Sequence, residues 1–277
     1  MPTLAIIGAG AMGSGIGRRF AEHGARVLTL LEGRSEKSAA RARAAGMVPA
    51  SLEQIAAADA VLSIVPPAEA VAVGRRLAPV MRQGVFVDCN AINPTTMQAV
   101  ADALAASGCA VLDGCLIGLP PAPGGGAPRL YISGDPDHRS AILDGLGVPL
   151  RQMEGPLGAA SALKMVFAGI NKGMTALGTA MLLAADRAGC APEVRRELSE
   201  SLPSVLARFS QAIPDMYPKA YRWVAEMQEI AEFLGPDDPA SRMFEGAAEV
   251  FANVAGDVAG EGELTATLDR VLGEKPA

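Results

Sequence analysis

The sequence predicts an α/β chain, a doubly wound parallel sheet at the N-terminus followed by an all-helical domain. Three observations predict it. Short apolar runs recur at 4–7, 27–31, 61–65, 85–88 and 110–113, with helical patterns or short connections between them. That alternation is the signature of a parallel sheet covered by helices on both faces. A glycine-rich turn joins the first apolar run to the first helical pattern. Beyond residue 155 the texture changes to helical patterns with no convincing strand. With 277 residues, half of them hydrophobic, the chain can bury one large core or two smaller ones.

The first element sets the reading of the rest. Residues 4–7 run into Gly8-Ala9-Gly10-Ala11-Met12-Gly13, then a helical pattern over 14–23 and a second apolar run. In that context G-x-G-x-x-G is a dinucleotide-binding turn. Gly8 permits the tight turn, Gly10 lets the backbone approach a pyrophosphate, and Gly13 lets the helix pack on the strand. The free N–H groups and dipole at the helix start then hold phosphate. This makes residues 1–155 a Rossmann-like domain. Further short strands are expected at 129–133 and 148–153, flanking a helix-like piece at 139–146.

From 157 to 188 one long helical pattern runs without proline. Its small residues (Gly158, Ala159, Ala160, Gly169, Gly173, Gly178) would let another helix approach. The remainder reads as helices separated by Pro203, Pro214, Pro218, Pro236 and Pro239. Over 221–234, Trp223, Met227, Ile230 and Leu234 recur at helical spacing. Residues 156–277 are therefore expected to form an all-helical substrate and dimerisation domain, with a frayed end at 273–277. Ligand is expected at the carboxyl ends of the strands, in the cleft between the domains.

Composition excludes several classes. The formal charge is −6 with no basic run, which argues against nucleic acid. The longest apolar stretches are broken by Gly, Lys or Pro, so no membrane span is expected. The chain enters a strand directly, and a cytoplasmic location follows as the default. Cys89, Cys109, Cys115 and Cys190 lack metal-ligand spacing and are expected as reduced thiols, with no metal site. His23 reads as a helix C-cap and His138 as part of a polar turn, so a histidine-based triad is not expected.

The end of the second strand selects the nicotinamide. Glu32 lies near the distance expected of a ribose-binding acid. Gly33-Arg34-Ser35, with Lys37 beyond, instead supplies a guanidinium and a hydroxyl suited to a 2′-phosphate. NADP is expected over NAD.

With these residues in hand, the chain resembles the β-hydroxyacid dehydrogenase superfamily, which includes 6-phosphogluconate and 3-hydroxyisobutyrate dehydrogenases. The loop 33–37 is similar to the N-R-[ST]-x-x-K of NADP-dependent members, with Gly33 for the asparagine. In NAD-dependent relatives the acid falls at Gly33, so Glu32, one residue earlier on the strand, would aim away from the ribose. Ser63-Ile64-Val65-Pro66 resembles the strand end beside the cofactor, implying contact from Val65 and Pro66. Asp88-Cys89-Asn90-Ala91-Ile92-Asn93-Pro94 resembles D-x-[ST]-x-x-x-P, implying a cofactor role for Asn90. Asp113-Gly114-Cys115-Leu116-Ile117-Gly118 lies where the family has D-A-P-V-S-G, implying substrate contact at Ile117 and Gly118. The segment 155–172, GPLGAASALKMVFAGINK, resembles the interdomain helix, with Lys164 as the catalytic lysine. The resemblance covers about residues 3–185. The loop 118–126 and the helix 221–230 resemble a little-characterised subgroup with a short helical C-terminal domain.

Oxidising an alcohol needs a base for the hydroxyl proton and a hydride acceptor; reduction needs an acid. Lysine is the natural candidate where histidine is so scarce, and partial burial of Lys164 would favour its neutral form. The family places Asn four residues after this lysine, where this chain has Ala168. Asn171 lies seven residues on, on the same helix face, and Lys172 close to it. Asn171 is expected to bind substrate and Lys172 to assist or to hold an acidic group. The family serine that grips a substrate carboxylate falls at the apolar Ile117. Arg222 is the candidate replacement anion grip, Trp223 reads as core, and the Glu226/Glu229 pair as a solvated face. The expected activity is NADP-dependent hydride transfer to or from a small hydroxy or keto compound. Imine reduction, and NADP binding without turnover by a sensor or scaffold, are the alternatives. The small-residue helix and Ala-rich C-terminal domain predict a homodimer.

Overall fold

The computed structural model describes residues 1–122 and 124–273. They form two compact units, Met1–Met165 and Val166–Ala277. The division falls inside a helix rather than at residue 155, where the sequence texture changes.

Unit 1 is an eight-stranded sheet. Its strands are β1 (Thr3–Ile7), β2 (Arg26–Thr29), β3 (Val48–Pro49), β4 (Ala60–Ser63), β5 (Val85–Asp88), β6 (Ala110–Ile117), β7 (Arg129–Ser133) and β8 (Leu150–Gln152). The order is β3-β2-β1-β4-β5-β6-β7-β8. From β3 to β6 all pairs are parallel. β7 then runs antiparallel to β6, and β8 is parallel to β7, so the expected parallel sheet carries a reversed edge. The strand β3 is only two residues long, exposed and half proline, which is why the sequence does not announce it.

The helices of this unit are α1 (Ala11–Glu22), α2 (Glu36–Ala44), α3 (Leu52–Ala56), α4 (Ala70–Leu77) and α5 (Pro94–Leu104). Alternate residues of β1 serve two cores. Leu4 and Ile6 pack with Phe20 and Val27, whereas Ala5 and Ile7 pack with Ile55, Leu77 and Phe86. A strand buried on both faces reads as one continuous apolar run, which is what the sequence displays. His23 stands at the C-cap of α1. The piece at 139–146 is a short 3₁₀ segment, Arg139–Leu143.

The long helix α6 (Ala159–Arg187) begins in unit 1 and continues into unit 2. It is followed by α7 (Ala191–Ser201), α8 (Pro203–Met216), α9 (Ala220–Leu234), α10 (Pro239–Ala259) and α11 (Glu263–Leu272). Pro203 and Pro239 stand at helix starts, where a missing N–H costs nothing. Pro214 does not separate helices; it lies inside the last turns of α8. The small residues of α6 are used within the chain. A side chain at Gly169 or Gly173 would press on Phe244, and one at Gly178 on Phe209. By length and composition α6 is apolar enough to cross a membrane, against the sequence expectation, although Lys164 and Lys172 interrupt it. The expected fraying at 273–277 falls largely outside the described residues.

Candidate functional site

The parallel strands β1, β4, β5 and β6 end along one edge of the sheet, with Ile7 beside Ser63, Ser63 beside Asp88 and Asp88 beside Asp113. The glycine turn emerges at this edge. Gly8 has φ +103°, and a side chain there would overlap the Ile64 carbonyl. A side chain at Gly13 would overlap the Gly8 carbonyl. Both are glycines because the chain leaves no room. Gly10 is different: nothing lies within 4 Å of where its Cβ would stand. It is exposed, it is the N-cap of α1, and no side chain caps that helix. No acid stands in the first turn. An open glycine before an uncapped helix fits a dinucleotide pyrophosphate.

At the end of β2, Glu32 pairs with Arg76 of α4. Gly33 has φ +71°, and Arg34 pairs with Glu69 at 3.3 Å. Ser35 caps α2, accepting the Ser38 N–H at 3.3 Å. Glu32, Gly33, Arg34, Glu69 and Arg76 line a cavity of about 310 Å³ that also touches Leu30, Leu52 and Val73. Lys37 needs a correction. Counted residue by residue, the lysine of N-R-[ST]-x-x-K falls at Ser38; Lys37 stands one position early and is exposed on the first turn of α2. The cation that does reach the glycine turn is one the sequence reading missed. Arg41 donates from Nη1 to the Ala9 carbonyl at 3.2 Å. Its place on the Ser38 face of α2, one turn on, was the available signal.

The ends of β4 and β5 are closed by side chains. Asn90 is 3% exposed. Its Oδ1 accepts the Val65 N–H at 2.6 Å, and its Nδ2 donates to Ser63 Oγ at 3.0 Å and Asp88 Oδ2 at 2.7 Å. The carboxamide is therefore spent inside the protein. Asn90 shapes the Val65–Pro66 bend, and its carboxamide is held by the protein where the sequence reading gave it to the cofactor. Val65 is buried and Pro66 exposed. Burial pushes the Asp88 carboxyl up to about 7, and the charge of Asp113 adds to that, against the hydrogen bonds from Asn90.

β6 holds the start of α6. Asp113, fully buried, accepts from Ser161 N at 2.8 Å, Ser161 Oγ at 2.7 Å and Ser133 Oγ at 3.0 Å. Ser133 Oγ accepts the Ala160 N–H at 2.9 Å. The first N–H groups of α6 are thus satisfied by sheet side chains. One turn later Lys164, half-buried, donates from Nζ to the Leu116 carbonyl at 2.8 Å. Burial raises the Asp113 carboxyl, opposed by these hydrogen bonds. Ile117 corrects another assignment. Its side chain is 5% exposed and packs with Cys115 and Ala160, because alternation along β6 turns it inward. Gly118, at φ +137°, has Pro128 against it and carries no side chain to hold a substrate.

In unit 2, Asn171 accepts from Arg208 at both its side-chain oxygen and its carbonyl, the latter at 3.1 Å. Lys172 pairs with Glu226 and lies over the Trp223 ring, 4.9 Å from its centroid. Its ammonium is engaged by that ion pair and ring, where the sequence reading expected it to assist or to hold an acidic group. Glu226 belongs to that part-buried pair and not to a solvated face. Trp223, half-buried, packs edge-on against Phe251. Arg222 is exposed and lies over the neighbouring Tyr221 ring at 5.9 Å. The four cysteines are free thiols, and among the described residues no cluster has the makings of a metal site.

Residues 3–131 match the NAD binding domain of 6-phosphogluconate dehydrogenase, and residues 185–254 match a domain of unknown function, DUF1932. The fold and turn therefore define a nicotinamide-dinucleotide-binding oxidoreductase. Within that class the chain fits the 6-phosphogluconate dehydrogenase-like superfamily with a helical C-terminal domain. A conserved protein of unknown function, MTH1747, whose structure resembles 3-hydroxyacid dehydrogenases, is 27% identical, with TM-score 0.69 over 94% of this chain and 99% of that one. A 3-hydroxyisobutyrate dehydrogenase of Salmonella typhimurium is 19% identical, with TM-score 0.72 over 98% and 100%. Psf3, solved with NADP+, is 18% identical, with TM-score 0.66 over 91% and 99%. The last two likenesses are of fold. A search of curated protein sequences finds no match.

Proposed function

We propose that this is an NADP-dependent dehydrogenase or reductase acting on CH–OH groups of a small hydroxy or keto compound in the cytoplasm, with Lys164 as acid and base. One observation carries the reading. The open turn at Gly10 and the Lys164 ammonium, tied to the Leu116 carbonyl, stand on the same carboxyl edge of one sheet. The nicotinamide, when bound at this edge, would supply the hydride chemistry. Lys164 gives its proton to the developing alkoxide in reduction and takes the hydroxyl proton in oxidation. The Leu116 carbonyl aims the amine without sharing its charge. Arg34 and Ser35 favour the 2′-phosphate, while Glu32 is occupied by Arg76.

A carboxylate anchor at position 117 is missing, so the reading favours a substrate gripped by other groups than the family serine. In unit 2, exposed Ile170, Leu177 and Met243 line an apolar groove of about 640 Å³ with Gly173 and Phe244. That face, and not the glycine stripe already filled by Phe244 and Phe209, is the proposed homodimer contact. Light scattering checks it, and a monomer would remove it.

The experiment is NADPH oxidation across a panel of carbonyls and imines, with wild type and Lys164→Met. Carbonyl turnover lowered about 10²-fold or more in the variant is expected, with NADPH affinity within about twofold. Turnover of imines alone would make it an imine reductase. NADPH binding with no turnover of either class would leave a sensor or scaffold.

A further inference from the structure

The cofactor reading leaves a gap at position 38. The pattern that holds a 2′-phosphate in NADP-dependent relatives needs a lysine there, and this chain has Ser38, which is bound to the Ser35 cap. We propose that Arg41 supplies the missing cation and meets the 2′-phosphate of NADP. The proposal rests on the NADP reading above and names the residue that gives it its preference.

Three features carry it. Arg41 follows Ser38 by three residues, so it stands one turn along the same face of α2. Its guanidinium leaves its own helix and bonds the Ala9 carbonyl, between the tight Gly8 and the open Gly10. Arg41 also lies in the last turn of α2, where a cation is favourable merely as a partner of the helix carbonyls. That blander role would keep the guanidinium on α2, and it does not lie there. Finally, its neighbours are neutralised and it is not. Arg34 pairs with Glu69 and Arg43 with Glu36, whereas Arg41 makes no ion pair among the described residues. A half-buried guanidinium with no carboxylate partner, held at the rim of a phosphate-binding turn, keeps its planar fork for a bidentate anion. Lys37, exposed one position early, would contribute a screened charge.

The test is calorimetric titration of the full chain with NADPH and NADH, for wild type, Arg41→Gln, Arg41→Lys, Lys37→Ala and the double variant Arg41→Gln/Ser38→Lys. Arg41→Gln should weaken NADPH by about tenfold to a hundredfold, the range of one charge-assisted contact. NADH should change by less than about twofold, and Lys37→Ala should cost NADPH less than about threefold. Ser38→Lys should restore most of the lost NADPH affinity by rebuilding the family's own contact. The NADPH affinity of Arg41→Gln should also depend less steeply on ionic strength. Arg41→Lys keeps the charge but loses the fork and should recover only part of the preference, and melting temperatures confirm that each variant folds. Equal loss of NADPH and NADH would move Arg41 to the shared pyrophosphate and overturn the proposal. So would an unchanged NADPH affinity. Tighter NADH binding by the wild type is the separate failure, of the NADP reading itself.

Discussion

The β1–α1 turn and the ends of β4 to β6 are neighbours on one sheet edge, yet they treat their polar groups oppositely. At the turn, Gly10 faces open space and α1 starts without a side-chain cap. At the ends of β5 and β6, Asp88, Asn90 and Asp113 are buried and satisfied by Ser63, Val65, Ser133 and Ser161. One region spends its hydrogen bonds on the protein. The other keeps them for a ligand. A motif match does not draw that line, because motifs list both kinds of residue together.

Substitutions should break the comparison in graded steps. The largest loss of stability is expected for Gly8→Ala, which adds strain at φ +103° to an overlap with the Ile64 carbonyl. About 3–5 kcal/mol should be lost in urea unfolding. Asp113→Ala follows, at about 2–4 kcal/mol, since it strands the Ser161 N–H and two hydroxyls in the core. It should also lower turnover through the loosened start of α6, with cofactor affinity unchanged.

Asp88 gives a pH-dependent step. Its carboxyl titrates about 7 folded against 3.8 unfolded, so between those values the folded chain binds more protons. The stability this group contributes is full below about pH 4 and is lost as pH rises through about 7. Asp135 and Asp257, whose carboxyls are lowered by hydrogen bonds, push the other way. The difference between wild type and Asp88→Asn isolates the term, and a difference that stays flat from pH 4 to 8 would contradict it. Smallest in stability is Gly10→Ala, at under about 1 kcal/mol. The same change should cost NADPH affinity at least about tenfold, because the methyl fills the space a pyrophosphate needs. Gly10→Ala with normal cofactor binding would erase the contrast between the two regions.

Much of this was legible in the sequence. Strands buried on both faces appear as unbroken apolar runs, and the turn glycines sit at a spacing that geometry dictates. Lys164 was marked as a candidate by being charged within an apolar helix. What stayed hidden was direction and partnership. Nothing in the residue type shows that Asn90 turns inward to Val65 N–H, that Ile117 faces Cys115, or that Lys172 meets Glu226 across two helices. Arg41 was hidden for the opposite reason: surface arginines are common, and only its reach to Ala9 distinguishes it. The reversal at β7 was equally silent, since an apolar run carries no sign of its direction.

The Ser63–Asp88–Asn90 bracket has a consequence for descent. Each member uses a different chemical feature of the next: a hydroxyl, two carboxylate oxygens, and an amide with both donors and its acceptor engaged. A lineage that replaced Asn90 by serine would leave Val65 N–H, Ser63 and Asp88 each seeking a new companion. Change at these three positions should therefore proceed in concert.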